Sequence, residues 1–171
     1  NDADLLFLLT NTGAIMHLLD YNIERYHNPV KAAGGWTLEM IDTHNPCAGN
    51  SNWKFSVDNN GGTPGRKNSI DAINVDNDAP RLLRAYASDS LTLHLIFDEP
   101  LDSISASLPA AFNVSDGVGA VRIAIPKLPL FNTVTLGLPT PIQAGKIYTV
   151  TVSNIADCSG NKISNSTTRV G

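Results

Sequence analysis

Two-residue alternation of apolar and polar side chains constrains this chain more than any other feature. Leu91-Thr92-Leu93-His94-Leu95-Ile96-Phe97 sends Leu91, Leu93, Leu95 and Phe97 to one side of an extended backbone, the pattern of a β-strand with one buried face. Runs of the same kind recur at residues 121–125, 134–138 and 148–152. With further strands expected at 82–86, 112–114 and 163–170, about seven short strands fall in the second half of the chain, which is the layout of a two-sheet sandwich. Turn chemistry separates them: Glu99-Pro100, Pro109, Asp116-Gly117, Pro139-Thr140-Pro141, Gly145 and Gly160-Asn161. One short helical turn is expected at 103–107. The alternation predicts a single core made of Leu91, Leu93, Leu95, Phe97, Val121, Ile123, Ile125, Val134, Leu136, Tyr148, Val150 and Val152.

Particular residues in this half carry a family likeness. Phe97-Asp98-Glu99-Pro100-Leu101-Asp102, Phe112-Asn113-Val114, Gly145-Lys146-Ile147-Tyr148-Thr149-Val150-Thr151-Val152 and Asp157-Cys158-Ser159-Gly160-Asn161 resemble the bacterial Ig-like modules of surface-layer and related cell-envelope proteins. The resemblance covers nearly all of residues 80–165 and implies an Ig-like β-sandwich used as a spacer, stalk or adhesion unit without catalysis.

The first half reads as strands at 5–10, 15–21, 37–41 and 54–57, closed by the turn-rich Asn59-Asn60-Gly61-Gly62-Thr63-Pro64-Gly65. Gly34-Gly35-Trp36-Thr37-Leu38-Glu39-Met40-Ile41-Asp42, Asn45-Pro46-Cys47, Asn52-Trp53 and the Gly61–Gly65 glycine cluster resemble the C-terminal half of the lamin-tail-like domains of secreted and surface proteins in Bacteroidetes-type bacteria. An Ig-type sandwich takes about 100 residues, so the resemblance implies a partial sandwich that lacks early strands. Such a domain leaves an unpaired strand edge, open to another chain or to a missing segment. The expected organisation is all-β: a partial lamin-tail-like β domain at 1–75, a linker at 76–80 and a bacterial Ig-like β-sandwich at 81–171. The stretch Ile73-Asn74-Val75-Asp76-Asn77-Asp78-Ala79-Pro80 resembles the acidic linker of cadherin repeats, which makes Asp76 and Asp78 candidate calcium ligands. The other acidic clusters that complete a cadherin site are not evident, and otherwise no cofactor is expected.

Charge and hydropathy narrow the partners. A net charge of −4, with 12 Lys+Arg dispersed along the chain and only Arg66-Lys67 adjacent, offers no basic stripe for nucleic acid or an anionic bilayer. The longest apolar run, Leu5-Leu6-Phe7-Leu8-Leu9, is far short of the ~20 residues a membrane helix needs. The chain starts at Asn1 without an initiator Met or a basic-then-apolar leader, so a processed or excised piece is expected, with its targeting signal upstream. Cys47 and Cys158 are too few for a thiolate zinc site. They read as one disulfide, worth about 4–5 kcal/mol in the chain-entropy model, or as two free buried thiols.

No set of residues converges on chemistry in the sequence. His17, His27, His44 and His94 are dispersed, and His44 with Cys47 supplies two ligands where a tetrahedral site needs four. There is no Gly-x-Ser-x-Gly elbow, and Gly61 to Gly65 lacks the Lys-Ser/Thr of a phosphate cradle. Asp98, Glu99 and Asp102 are neighbours in a proline turn, which is poor geometry for a glycosidase acid and base. Tyr21, Tyr26, Trp36 and Trp53 are the candidate ligand-binding aromatics, since exposed rings stack on sugars; packed in a small core, the same rings supply buried area instead. The expected role is that of a non-catalytic structural or adhesion module of a secreted or cell-surface bacterial protein, located outside the cell, in the periplasm or on the outer surface. Its partners would be other modules of the same polypeptide, or cell-surface proteins and glycans. A carbohydrate-binding module and an accessory domain of a larger secreted enzyme are the alternatives.

Overall fold

The computed structural model describes residues 2–171, apart from the side chains of Arg25, Tyr26, Pro46 and Cys47. The chain is all-β and divides into two compact units, Asn1–Asp76 and Asn77–Gly171.

The first unit holds two separate antiparallel pairs. β1 (Ala3–Leu9) and β2 (Ile15–Asn22) form a hairpin, and β3 (Leu38–Met40) pairs with β4 (Trp53–Phe55). Between them lie the short helix α1 (Pro29–Ala32), which opens on Pro29 with Asn28 as its cap, and a 3-10 segment, Pro46–Asn52. Asn52 is fully buried and ties together the segments that carry Asp42, Asn45 and Asn74. Its Nδ2 donates to the Asp42 and Asn45 carbonyls, each at 2.8 Å, while its Oδ1 accepts from Asp42 N at 2.8 Å and from Asn74 Nδ2 at 3.0 Å. A buried amide with both ends satisfied avoids the penalty that one open bond would bring.

The second unit is a sandwich of two four-stranded sheets. β5 (Leu82–Asp89), β6 (Thr92–Phe97), β7 (Phe112–Val114), β8 (Gly119–Ala120), β9 (Ile123–Pro126), β10 (Thr133–Gly137), β11 (Tyr148–Val152) and β12 (Ser166–Val170) make sheets of order β5-β6-β10-β9 and β12-β11-β7-β8. Leu93, Leu95, Phe97, Val134 and Leu136 from one sheet and Phe112, Val114, Tyr148, Val150 and Val152 from the other share one core, each no more than 3% exposed. Each such burial is worth about 1.5–3 kcal/mol. The helical turn expected at 103–107 is α2 (Ser103–Ala106), which Asp102 starts by accepting from Ser105 N at 2.8 Å and Ile104 N at 3.4 Å.

Three of the twelve expected core residues face out. Leu91 lies in the β5–β6 turn, where its N–H donates to Asp89. Ile123 and Ile125 are about half exposed, while Ala124 between them is buried. The alternation that begins at Val121, itself buried, slips by one residue at Arg122: Arg122 N donates to the Gly137 carbonyl, and Ile123 also pairs with Gly137. Two residues therefore oppose one, as in a β-bulge, and every later side chain of β9 changes face.

Candidate functional site

The densest polar arrangement in the first unit is built on β3. Leu38 and Met40 flank Glu39 on a three-residue strand whose partner, β4, runs directly into the 56–69 loop. That loop folds back over β3 and is anchored through a close backbone approach. Gly61 is buried with φ +83° and its carbonyl accepts from Thr37 N at 2.8 Å. A Cβ at Gly61 would stand 2.0 Å from the Gly35 carbonyl oxygen, so the glycine answers both to the backbone conformation and to the space. This agrees with the reading of Gly61 to Gly65 as a tight turn.

The fold-back brings two hydroxyls and a backbone N–H to Glu39, which is only 5% exposed. Thr63 Oγ1 donates to Oε1 at 2.5 Å; Ser69 N and Ser69 Oγ donate to Oε2 at 2.8 and 2.7 Å. Ser69 spends its one hydroxyl hydrogen on the carboxylate, so Ser56 Oγ is the donor in the 2.9 Å Ser56–Ser69 contact. Burial pushes the Glu39 carboxyl up, but the hydrogen bonds from Thr63 and from the hydroxyl and backbone N–H of Ser69 outweigh it and hold the group at about 2. Glu39 is a permanent anion that ties the loop down. Nothing in the sequence marks it, because a lone acid in a short strand ordinarily faces water.

Beside β4 is an open cleft of about 440 Å³. Trp53 and Phe55 give it an apolar wall, Asn28 and Asn50 add amides, and Lys31 and Lys54 add positive charge. Trp53 is half-buried, with its ring tilted against His17 at a centroid distance of 6.1 Å. Trp36 and Tyr21 do not line this cleft. Trp36, also half-buried, lies under the Lys31 ammonium at 4.2 Å from the ring centre, and Lys31 donates as well to the Ser56 carbonyl. Tyr21 lies on β2, paired with Asp4. The side chain of Tyr26 lies outside the described residues.

In the second unit the acidic residues of the proline turn have separate duties. Asp98 accepts from Arg81 N and Nε, both at 2.7 Å, and raises the Arg81 guanidinium above its ordinary value. Asp102 caps α2, and its hydrogen bonds from Ser105 hold its carboxyl low. Glu99 approaches Asp157, with carboxylate oxygens within 4.8 Å of each other. Asp157 is buried in the 157–161 turn and accepts from Asn161 N and Nδ2 at 2.8 and 2.9 Å. Linear spacing hides this pair, since it depends on the Leu101–Asp157 bridge between distant segments.

The remaining expectations fall as follows. His94 alternates outward between Leu93 and Leu95, stacks on Tyr86 and bridges Ser88 and Thr135. His44 is exposed beside Asp42, 3.7 Å away. Asp76 is half-buried and Asp78 exposed, both in a stretch without regular secondary structure. Cys158 lies in an exposed turn, whereas the Cys47 side chain is outside the described residues. Among the described residues no helix is long and apolar enough to cross a membrane.

No family model matches this chain, and no curated protein matches it significantly. Among solved structures it is similar to the N-terminal part of the bacterial S-layer protein SbsC, at 25% identity and a TM-score of 0.49, over 53% of this chain and 23% of that one. It is likewise similar to SbsC domains 1-6 and to rSbsC(31-844), each at 25% identity and a TM-score of 0.48, over 53% of this chain and 13% of theirs. The chain thus covers less than a quarter of each of these proteins.

Proposed function

We propose that this chain is a non-catalytic structural module of a secreted or cell-surface bacterial protein, carrying a lamin-tail-like part followed by an Ig-like sandwich. One observation supports the non-catalytic part of this reading. Every carboxylate of the described residues with a resolved shift is held low: Glu39, Asp42, Asp58, Asp89, Asp102 and Asp116. The hydrogen bonds responsible come mainly from neighbouring backbone and hydroxyl groups in turns, caps and the 56–69 loop. A general acid at neutral pH needs the opposite, a carboxyl raised toward the working pH. These groups serve as fixed anions that shape turns. The purified chain is expected to show no turnover in glycosidase, esterase, protease and nuclease assays. Specific turnover lost on replacing Asp98, Glu99, Asp102 or His44 would overturn the proposal.

Two further features belong to the same reading. A Cys47–Cys158 disulfide suits an oxidising, extracellular setting, and calcium at Asp76 and Asp78 would stiffen a spacer. Thiol titration under denaturing conditions checks the first, and melting with calcium against chelator checks the second.

The Trp53 cleft favours glycan binding as a second reading. An aromatic wall suits the apolar face of a sugar ring, and the amides of Asn28 and Asn50 suit its hydroxyls. On a glycan array, the chain is expected to retain a saccharide that Trp53→Ala weakens at least about tenfold, while Trp36→Ala leaves binding unchanged. Equal effects of the two substitutions, or no retained glycan, would remove this reading.

A further inference from the structure

The cleft beside β4 carries charge of the sign opposite to that of the whole chain. The net charge is −4, yet two of the residues that line the cleft are lysines, Lys31 and Lys54, and none is acidic. Elsewhere in the first unit cations are matched with acids: Arg66 pairs with Asp58 at 3.3 Å and Lys67 with Asp71 at 2.7 Å. The cleft lysines have no carboxylate partner among the described residues. Lys31 is held in place by the Ser56 carbonyl and by the Trp36 ring, and neither neutralises it. Lys54 is exposed in the middle of β4, between Trp53 and Phe55. Two ammonium groups on one cleft repel each other, and an anion bound there offsets that cost.

We propose that the ligand of this cleft is an acidic saccharide, a sugar whose ring bears a carboxylate. The inference rests on the reading of the cleft as a glycan site and names the class of glycan. Trp53 supplies the flat apolar surface on which a pyranose ring stacks. Asn28 spends its Oδ1 on the Lys31 N–H, at 3.0 Å, and among the described residues keeps its Nδ2 hydrogens for the hydroxyls of a ligand. Asn50 brings a second amide, which donates and accepts as a hydroxyl does. Ser51 donates its own hydroxyl to the Ala48 carbonyl at 2.6 Å and is left as an acceptor. The carboxylate belongs at Lys54, whose ammonium has no other duty among the described residues, while Lys31 adds its charge from a fixed position. A peptide carboxylate would satisfy the lysines but leave the ring and the amides without the stacked, hydroxyl-bearing face they suit.

The test titrates the full chain with uronic-acid oligosaccharides and with the same oligosaccharides after reduction of their carboxyl groups to alcohols. The acidic form should bind at least about tenfold more tightly than the reduced form. Added salt should narrow that gap, because Lys54 is exposed to solvent. Lys54→Gln should abolish the preference and leave the weaker binding of the reduced form unchanged, with the circular dichroism spectrum as the check on folding. Lys54→Arg, which keeps the charge, should retain most of the preference, whereas Trp53→Ala should weaken both forms. Equal binding of the two forms, lost in Trp53→Ala, would overturn this inference and leave the glycan reading standing. Binding of neither form would remove both. A preference that survives Lys54→Gln, or a glutamate-rich peptide that competes as well as the uronate, would also overturn it, the latter by assigning the lysines to a peptide.

Discussion

Gly61→Ala is expected to unfold the first unit under conditions in which the second stays folded. The added Cβ would stand 2.0 Å from the Gly35 carbonyl oxygen, and the φ of +83° is itself unfavourable for an L-residue with a side chain. Backbone on the opposing side cannot swing away as a flexible side chain would. The combined cost is about 3–5 kcal/mol, comparable to the whole stability of a domain of this size. The test is direct because both tryptophans, Trp36 and Trp53, belong to the first unit. Tryptophan emission followed through a urea titration should lose its cooperative transition in the variant, while far-ultraviolet dichroism retains the transition of the second unit. Gly65, also at positive φ but with open space around its Cβ position, is the control, and Gly65→Ala should cost only about 1–2 kcal/mol. Equal effects at the two glycines would show that the close approach to Gly35 is unimportant.

The second large effect is expected at Glu39. Its folded value of about 2 lies below the ordinary 4.5, so the native state binds the proton less readily than the unfolded chain does. The stabilisation is therefore fully present above about pH 4.5 and is lost as pH falls toward 2. Linkage sets its size at roughly 3 kcal/mol. Asp42 and Asp58, held low chiefly by backbone N–H groups of Asn74 and Asn60, add to the same acid limb. Glu39→Gln keeps an acceptor for Thr63 but turns an amide toward Ser69, whose N–H and hydroxyl both donate. It should cost about 2–4 kcal/mol at neutral pH and flatten the dependence of the tryptophan-detected midpoint between pH 4.5 and 2. An unchanged acid limb in the variant would mean that the hydroxyl cage does not hold the charge.

Both residues show how far the sequence reached into the first unit. The glycine cluster was legible as a turn, because glycine is the residue that tolerates positive φ. Its role as a point of backbone contact was not, since Gly35 and Gly61 are brought together by the chain reversal through β3 and β4. Glu39 was invisible for the same reason. Its burial comes from a loop that closes over it, and its ionisation from donors up to 30 positions away. Trp53 was singled out as an aromatic, but only the packing of β4 beside α1 and the 46–52 segment sets it in a cleft apart from Trp36 and Tyr21.

In the second unit local pattern carried more. Period-two alternation on β6, β10 and β11 determined which side chains face inward, because a strand with one dry face admits a single orientation of its apolar set. Turn residues likewise determined where the strands end, and Asp102 marked the start of α2. What only the tertiary structure decided is where alternation breaks and which distant groups meet. The bulge opposite Gly137 puts Ala124 inside in place of Ile123 and Ile125, and the bridge at Leu101 sets Asp157 beside Glu99. Alternation and turn preference are properties of a few neighbouring residues, so the sequence by itself determines them. Register slips, cages and clefts depend on partners supplied from across the fold, and those partners exist only once the chain has closed.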